Sequence, residues 1–171
     1  RHVWLLSSGK TFVEPWSVAI TTADVTDSSA DVTVKGTVKG GEGTTAVVRI
    51  VGDGKTVASR TMTVGDDGTF SASMPITDPA LWSPDSPSLY QAEIEIVGKD
   101  GKVLDTATEA FGVRRFEYSA EKGLTLNGRP IVLNGGCVHH DNGILGARSY
   151  DDAEARKVRL MKEAGFNAVR T

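Results

Sequence analysis

From Trp16 to Val113 apolar and polar residues alternate, and a period of two marks strands with one buried face. Val18 and Ile20 open the pattern, and Val32, Val34 and Val38 continue it. Ala46, Val48 and Ile50 follow, then Val57 with Met62 and Val64, then Phe70, Ala72, Met74 and Ile76. Tyr90, Ala92, Ile94 and Ile96 form the next run, and Val103, Phe111 and Val113 close the series. Between the runs lie turn-forming groups, among them Gly40-Gly41, Gly52-Asp53-Gly54, Asp66-Asp67-Gly68 and Lys99-Asp100-Gly101. Gly, Asn and Asp supply the backbone angles that tight hairpins need. Seven short strands without a helix predict a two-sheet sandwich of immunoglobulin-like type. Each apolar residue named is expected to face its core.

After Val113 the texture changes. Asn127-Gly128 between short strand-like runs predicts a hairpin, and the unbroken apolar run Ile131-Val132-Leu133 predicts a strand buried on both faces. A glycine-rich loop, Gly135 to Ala147, comes next. Ser149 is placed to cap a helix whose first turn holds Asp151, Asp152 and Glu154, acidic residues suited to the positive end of the helix dipole. Asp152 and Arg156 are spaced for an ion pair, and Val158, Leu160, Met161 and Ala164 give one apolar face. Gly165 fits a left-handed C-terminal cap, and Phe166 to Val169 begins another strand. Strand, helix, strand predicts a βαβ unit with parallel strands. One such unit cannot cover its own faces, so Val158, Leu160 and Met161 are expected to be exposed or to pair with another copy.

Composition narrows the function. Nineteen Lys and Arg against 22 Asp and Glu give a net charge of −3, which argues against a nucleic-acid or anionic-membrane partner. No apolar run approaches the length of a membrane span. A single cysteine, Cys137, excludes an internal disulfide framework and any multi-cysteine zinc site. The sequence opens at Arg1 without a Met or leader and stops at Thr171 directly after a strand-like run, so it reads as a piece of a longer protein. One cysteine and no leader are compatible with the cytoplasm; the compartment stays open.

In parallel α/β folds chemistry collects at the carboxyl ends of the strands. That rule selects the loop Asn134–Asn142 and the strand end Asn167–Thr171. Parallel neighbours would bring His139, His140, Asp141 and Arg170 to one rim, a set of donors with one carboxylate. Such a set suits a hydroxyl-rich ligand or a metal. Against the metal, adjacent residues rarely ligate one ion and no distant third ligand is evident. Cys137 as a nucleophile competes with the reading of a small buried hydrophobe. No paired carboxylates for acid–base work stand at the strand ends.

Several motifs, in order along the chain, resemble glycoside hydrolase family 2, whose best-known members are beta-galactosidases and beta-glucuronidases. They are Leu81-Trp-Ser-Pro84 with Pro87-x-Leu89-Tyr90, Phe111-Gly-Val-Arg114, Gly123-Leu-x-Leu-Asn-Gly-x-Pro130, Leu133-x-Gly135, His139, and Leu160-Met-Lys-x-x-Gly-Phe-Asn-Ala-Val-Arg170. Arg1-His-Val-Trp-Leu5 resembles the tail of the jelly-roll sugar-binding domain that precedes them in that family. The resemblance implies three segments: residues 1–15 as that tail, 16–114 as the immunoglobulin-like sandwich, and 115–171 as the truncated start of a (β/α)8 barrel. It implies a retaining exo-glycosidase acting on terminal beta-galactosides, with beta-glucuronidase and beta-mannosidase as alternatives. Such enzymes use two carboxylates about 5 Å apart. In the family these glutamates lie on later strands, so none falls in this stretch and the stretch alone is expected to be inactive. His139 and Arg170 match residues that hold the sugar, and Asp141 joins them as a substrate-binding candidate from its place on the same rim.

The familiar loop often reads Asn-Arg-His-Glu, whereas Cys137-Val-His-His140 resembles another branch. No cofactor is assignable; a divalent or monovalent cation is open for the parent, as is a homo-oligomer. The expected partners are a carbohydrate substrate and the other domains of the same chain. The competing class is a non-enzymatic carbohydrate-binding sandwich module, with Trp16, Trp82 and Tyr90 as stacking platforms.

Overall fold

The structure, a computed structural model, describes residues 3–171. Arg1 and His2 of the run likened to a jelly-roll tail lie outside the described residues. Two compact units emerge, Ser7–Arg129 and a second one that runs over Pro130–Thr171 and takes in the residues up to Leu6. Among the described residues the protein is mainly β, with one α-helix, and its named strands pair antiparallel apart from one parallel pair.

The Ser7–Arg129 unit holds two four-stranded sheets. In the first, the long central strand β3 (Ser29–Lys39) pairs with β1 (Phe12–Val13), β2 (Ala19–Ala23) and β6 (Thr69–Thr77). The second has the order β5 (Lys55–Thr63), β4 (Thr45–Gly52), β7 (Tyr90–Val97), β8 (Val103–Phe111). Val32, Val34 and Val38 from one sheet and Val48, Ile50, Ile94 and Ile96 from the other belong to a single core cluster, as the sandwich reading requires. Gly36 faces that core opposite Phe70, and a Cβ there would come within 2.7 Å of the ring, so the glycine makes room for the aromatic. Both open sides are tied: Arg60 Nη1 donates to the Ser73 carbonyl at 2.8 Å, and the Val13 N–H donates to Asp105 Oδ2 at 2.8 Å.

Two apolar residues expected in the core are not there. Val57 is 45 % exposed and Val103 is 54 % exposed. Each sits at a β-bulge. Ile50 pairs with Ala58 but Val51 with Thr56, which leaves Val57 as the extra residue; Ile96 pairs with Asp105 but Val97 with Val103, which leaves Leu104 extra. A bulge reverses which face the following residues take, so Val103 falls on the outer side. The unit also has eight strands across its two sheets rather than seven, because the short β1 lies outside the alternating region.

A three-stranded sheet, β9 (Phe116–Ser119), β10 (Gly123–Leu126) and β11 (Arg129–Pro130), follows. Its second turn is the expected hairpin: Asn127 and Gly128 both take positive φ, 51° and 77°. Asn127 has a further task. Its N–H and side-chain oxygen bond the Arg115 carbonyl and N–H at 2.8 and 2.9 Å, and its amide donates to the Trp82 carbonyl at 3.0 Å.

In the other unit β12 (Gly135–Cys137) lies parallel to β13 (Ala168–Arg170), with α1 (Asp151–Glu163) between them in sequence. The parallel strand–helix–strand order matches expectation, but the first strand does not. Ile131-Val132-Leu133 has no regular structure, and Val132 and Leu133 are exposed. The cap also differs: Tyr150 is the N-cap, and its side chain makes no capping bond to the helix. The Ser149 hydroxyl bonds Glu154 instead. Asp152 and Arg156 form no ion pair; the helix carries Glu154–Lys157 at 3.1 Å. Gly165 does close the helix as expected, at φ 87°, with its N–H on the Lys162 carbonyl and the Phe166 N–H on that of Met161. Val158 and Leu160 are exposed and Met161 half-buried.

Candidate functional site

The site is built on the parallel pair. Gly135 lies opposite Ala168, Gly136 opposite Val169 and Cys137 opposite Arg170, so both strands end side by side. The Val138 N–H donates to the Arg170 carbonyl at 2.8 Å and extends the pairing by one residue. His139 comes next, and the Asp141 N–H turns back onto its carbonyl at 2.9 Å. The structure thus sets the His139–Asp141 turn directly past the partner of Arg170. The side chains of His139, His140, Asp141 and Arg170 are all exposed.

Two asparagine clamps hold this rim. Asn167 Oδ1 accepts the Asn134 N–H at 2.8 Å, its amide donates to the Val132 carbonyl at 2.9 Å, and its own N–H donates to the Asn134 carbonyl at 2.9 Å. Gly135 permits the closeness that results, since a Cβ there would collide with the Ala168 carbonyl. At the far end of the loop, the Asn142 amide donates to the Arg148 carbonyl at 3.0 Å and to Glu154 Oε1 at 2.9 Å. That bond first, then those from Lys157 and Ser149, hold the Glu154 carboxyl below the usual carboxylate range. The loop is therefore fastened to the first turn of α1. Sequence reasoning did not assign these roles to Asn142 and Asn167; their only signal was an amide at each end of a glycine-rich segment.

Cys137 is an exposed free thiol, not the buried hydrophobe expected, because β12 contributes no buried residue. Among the described residues no group of three His, Cys, Asp or Glu side chains is assembled to hold a metal ion. Backbone pairing brings the Cys137–Asp141 segment and Arg170 to the same strand ends, with imidazole, carboxylate and guanidinium groups among their exposed side chains.

The three aromatic platforms expected for a binding module part company. Tyr90 is buried, its hydroxyl accepts the Ala80 N–H at 2.8 Å, and its ring stacks on Phe111 at 5.8 Å, so it is a core residue unavailable to a ligand. Trp82 is half-buried, with the Arg114 guanidinium 4.7 Å from its ring centroid. Trp16 is 98 % exposed.

Comparison with known proteins adds relationship to this geometry. A family model for glycosyl hydrolases family 2 matches residues 11–114. A beta-galactosidase of Bacteroides ovatus is 32 % identical over 99 % of this chain and 21 % of its own length. A beta-glucuronidase of Bacteroides fragilis is 30 % identical over 99 % of this chain and 26 % of its own. Among solved structures, a glycosyl hydrolase family 2 member from Bacteroides cellulosilyticus superposes with a TM-score of 0.89 and 37 % identity, covering 95 % of this chain and 24 % of that one. The chain thus spans about a fifth to a quarter of the length of these relatives.

Proposed function

The chain belongs to glycosyl hydrolases family 2, and from that membership we propose that it is a section of a retaining exo-glycosidase acting on terminal beta-galactosides. In this reading residues 1–15 end a preceding jelly-roll domain, 16–114 are an immunoglobulin-like spacer that buttresses the catalytic domain, and 115–171 open a (β/α)8 barrel. His139 and Arg170, with Asp141, bind the sugar. They act by hydrogen bonding and positioning, since orientation of a bound substrate is itself a large part of catalysis. Both reacting carboxylates lie elsewhere in the parent, so the 171-residue chain alone is inactive.

The observation that carries the galactoside reading is the beta-galactosidase relative aligned over 99 % of the chain. The site residues are supported by the parallel pairing of Cys137 with Arg170. The beta-glucuronidase that aligns equally far supports the alternative sugar. Assays with aryl beta-galactoside and aryl beta-glucuronide on the chain and on its parent test all of this. We expect no turnover above background from the chain, and galactoside hydrolysis by the parent. Turnover by the chain overturns the proposed inactivity, and a parent active only on the glucuronide overturns the proposed sugar. In the parent, Arg170→Ala is expected to lower kcat/KM about 100-fold, the scale of a misplaced substrate.

A further inference from the structure

The Ser7–Arg129 unit contains a cavity that this reading leaves unused. Its volume is about 560 Å³, and Ile20, Trp82, Leu89, Phe111, Arg114 and Phe116 line it. That size falls within the roughly 300–1,000 Å³ typical of small-molecule sites. Polar and apolar surface share its walls about equally, no carboxylate lines them, and the one charge is Arg114. Its guanidinium rests on the Trp82 ring and, among the described residues, makes no ion pair or hydrogen bond. Five N–H donors in a fixed fork are therefore unused. A guanidinium is more weakly hydrated than an ammonium, which lowers the cost of taking water from it when a ligand binds.

The backbone that carries Arg114 and Trp82 is held in place, while the exposed Arg114 side chain rests on the ring alone. The Thr22 hydroxyl donates to the Arg114 carbonyl at 3.0 Å, the Trp82 N–H donates to the Val113 carbonyl at 2.8 Å, and the Asn127 amide donates to the Trp82 carbonyl at 3.0 Å. Gly112 lies against the indole, where a Cβ would stand 2.8 Å from Trp82 Cβ and Cγ, so a side chain at 112 would displace the platform. An unpaired positive charge on a planar fork, stacked on Trp82 beside the Leu89, Phe111 and Phe116 side chains and with no carboxylate in the lining, complements a planar anion carried on an apolar body. We propose that this cavity binds a small carboxylate with an apolar ring, its oxygens on Arg114 and its ring against Leu89, Phe111 and Phe116.

Titration of 2-naphthoate into the ¹⁵N-labelled 171-residue chain tests it. The expected result is saturable shifts of the Leu89, Gly112 and Arg114 amides, with 2-naphthamide, the neutral counterpart, at least about tenfold weaker. Arg114→Gln should weaken 2-naphthoate about tenfold or more while amide positions in the β3 and β7 strands stay unchanged. If Arg114→Gln alters those strands, Leu89→Glu, an exposed position at which a negative charge opposes the ligand, is expected to weaken binding to the same degree. Equal binding of acid and amide, shifts confined to other residues, no saturation, or wild-type affinity in both variants would each overturn the proposal.

Discussion

The two units of this chain treat the same kind of side chain in opposite ways. In Ser7–Arg129 the aliphatic residues of β3, β4, β6 and β7 are removed from water in one cluster of nineteen buried residues. From Pro130 to Thr171 no residue is buried, and Val132, Leu133, Ile144, Val158, Leu160, Phe166 and Val169 all face solvent. The difference is one of order, not of composition. Period-two strands in two sheets cover one another's apolar faces. A single helix and a two-stranded parallel pair have faces that want a further layer. The first unit is stabilised by burial; the second is held mainly by backbone pairing and a few amide clamps.

Hydrogen exchange gives the largest expected effect. Amides of β3, β4 and β7 should exchange only through global unfolding, while those of α1 open at a small fraction of that free energy. Equal protection of both in a monomer would break the contrast. Ile94, fully buried, should cost about 2–5 kcal/mol as Ile94→Ala by chemical denaturation, whereas the exposed Leu160→Ala should stay within about 0.5 kcal/mol. Asn127→Ala should cost about 1–3 kcal/mol, because it loses the bond to Trp82 and puts alanine at positive φ. Asn127→Gly should recover part of that through the backbone alone, which separates the two contributions.

The smallest effect expected is with pH. Arg49 holds the Glu95 carboxyl below its ordinary range through a two-bond pair at 2.8 and 3.0 Å, and Asp67 and Asp100 are lowered by the N–H groups of Thr69 and Lys102. A lowered folded-state value means that the unfolded chain binds protons more readily. The stability these groups contribute is therefore complete above the ordinary carboxylate values of 3.8 and 4.5 and is lost as pH falls through the lowered ones. Urea midpoints measured from pH 7 to 3 should fall only at the acid end, and less steeply in Glu95→Gln.

Where side-chain pattern dictates structure, the sequence was a good guide. β3, β6 and β7 follow their alternation, the Asn127-Gly128 turn follows its chemistry, and Gly165 follows the demand for positive φ. The failures share a cause. Gly135-Gly136-Cys137 carries no strand signal, since it becomes a strand through pairing with Ala168–Arg170 and the Asn167 clamp, both distant in sequence. The neighbouring Ile131–Leu133 has the signal without the partners. Val103 was misplaced because a bulge changes phase without leaving a mark in the pattern. At the candidate rim, residue type picked out His139, Asp141 and Arg170, but an asparagine clamp is invisible until both of its ends are known.

The two ties across the open sides of the sandwich bear on what the protein avoids. A sheet edge is a template on which a stray strand, or another copy, can stack without limit. Here Asp105 and Glu109 lie on the face of β8 that pairs with core positions of β7, and the Asp105 carboxylate already occupies the Val13 N–H. On the other side Arg60 occupies the Ser73 carbonyl of β6. An incoming strand would have to displace these bonds and bury a carboxylate, so the same contacts that close the core also guard it against aggregation.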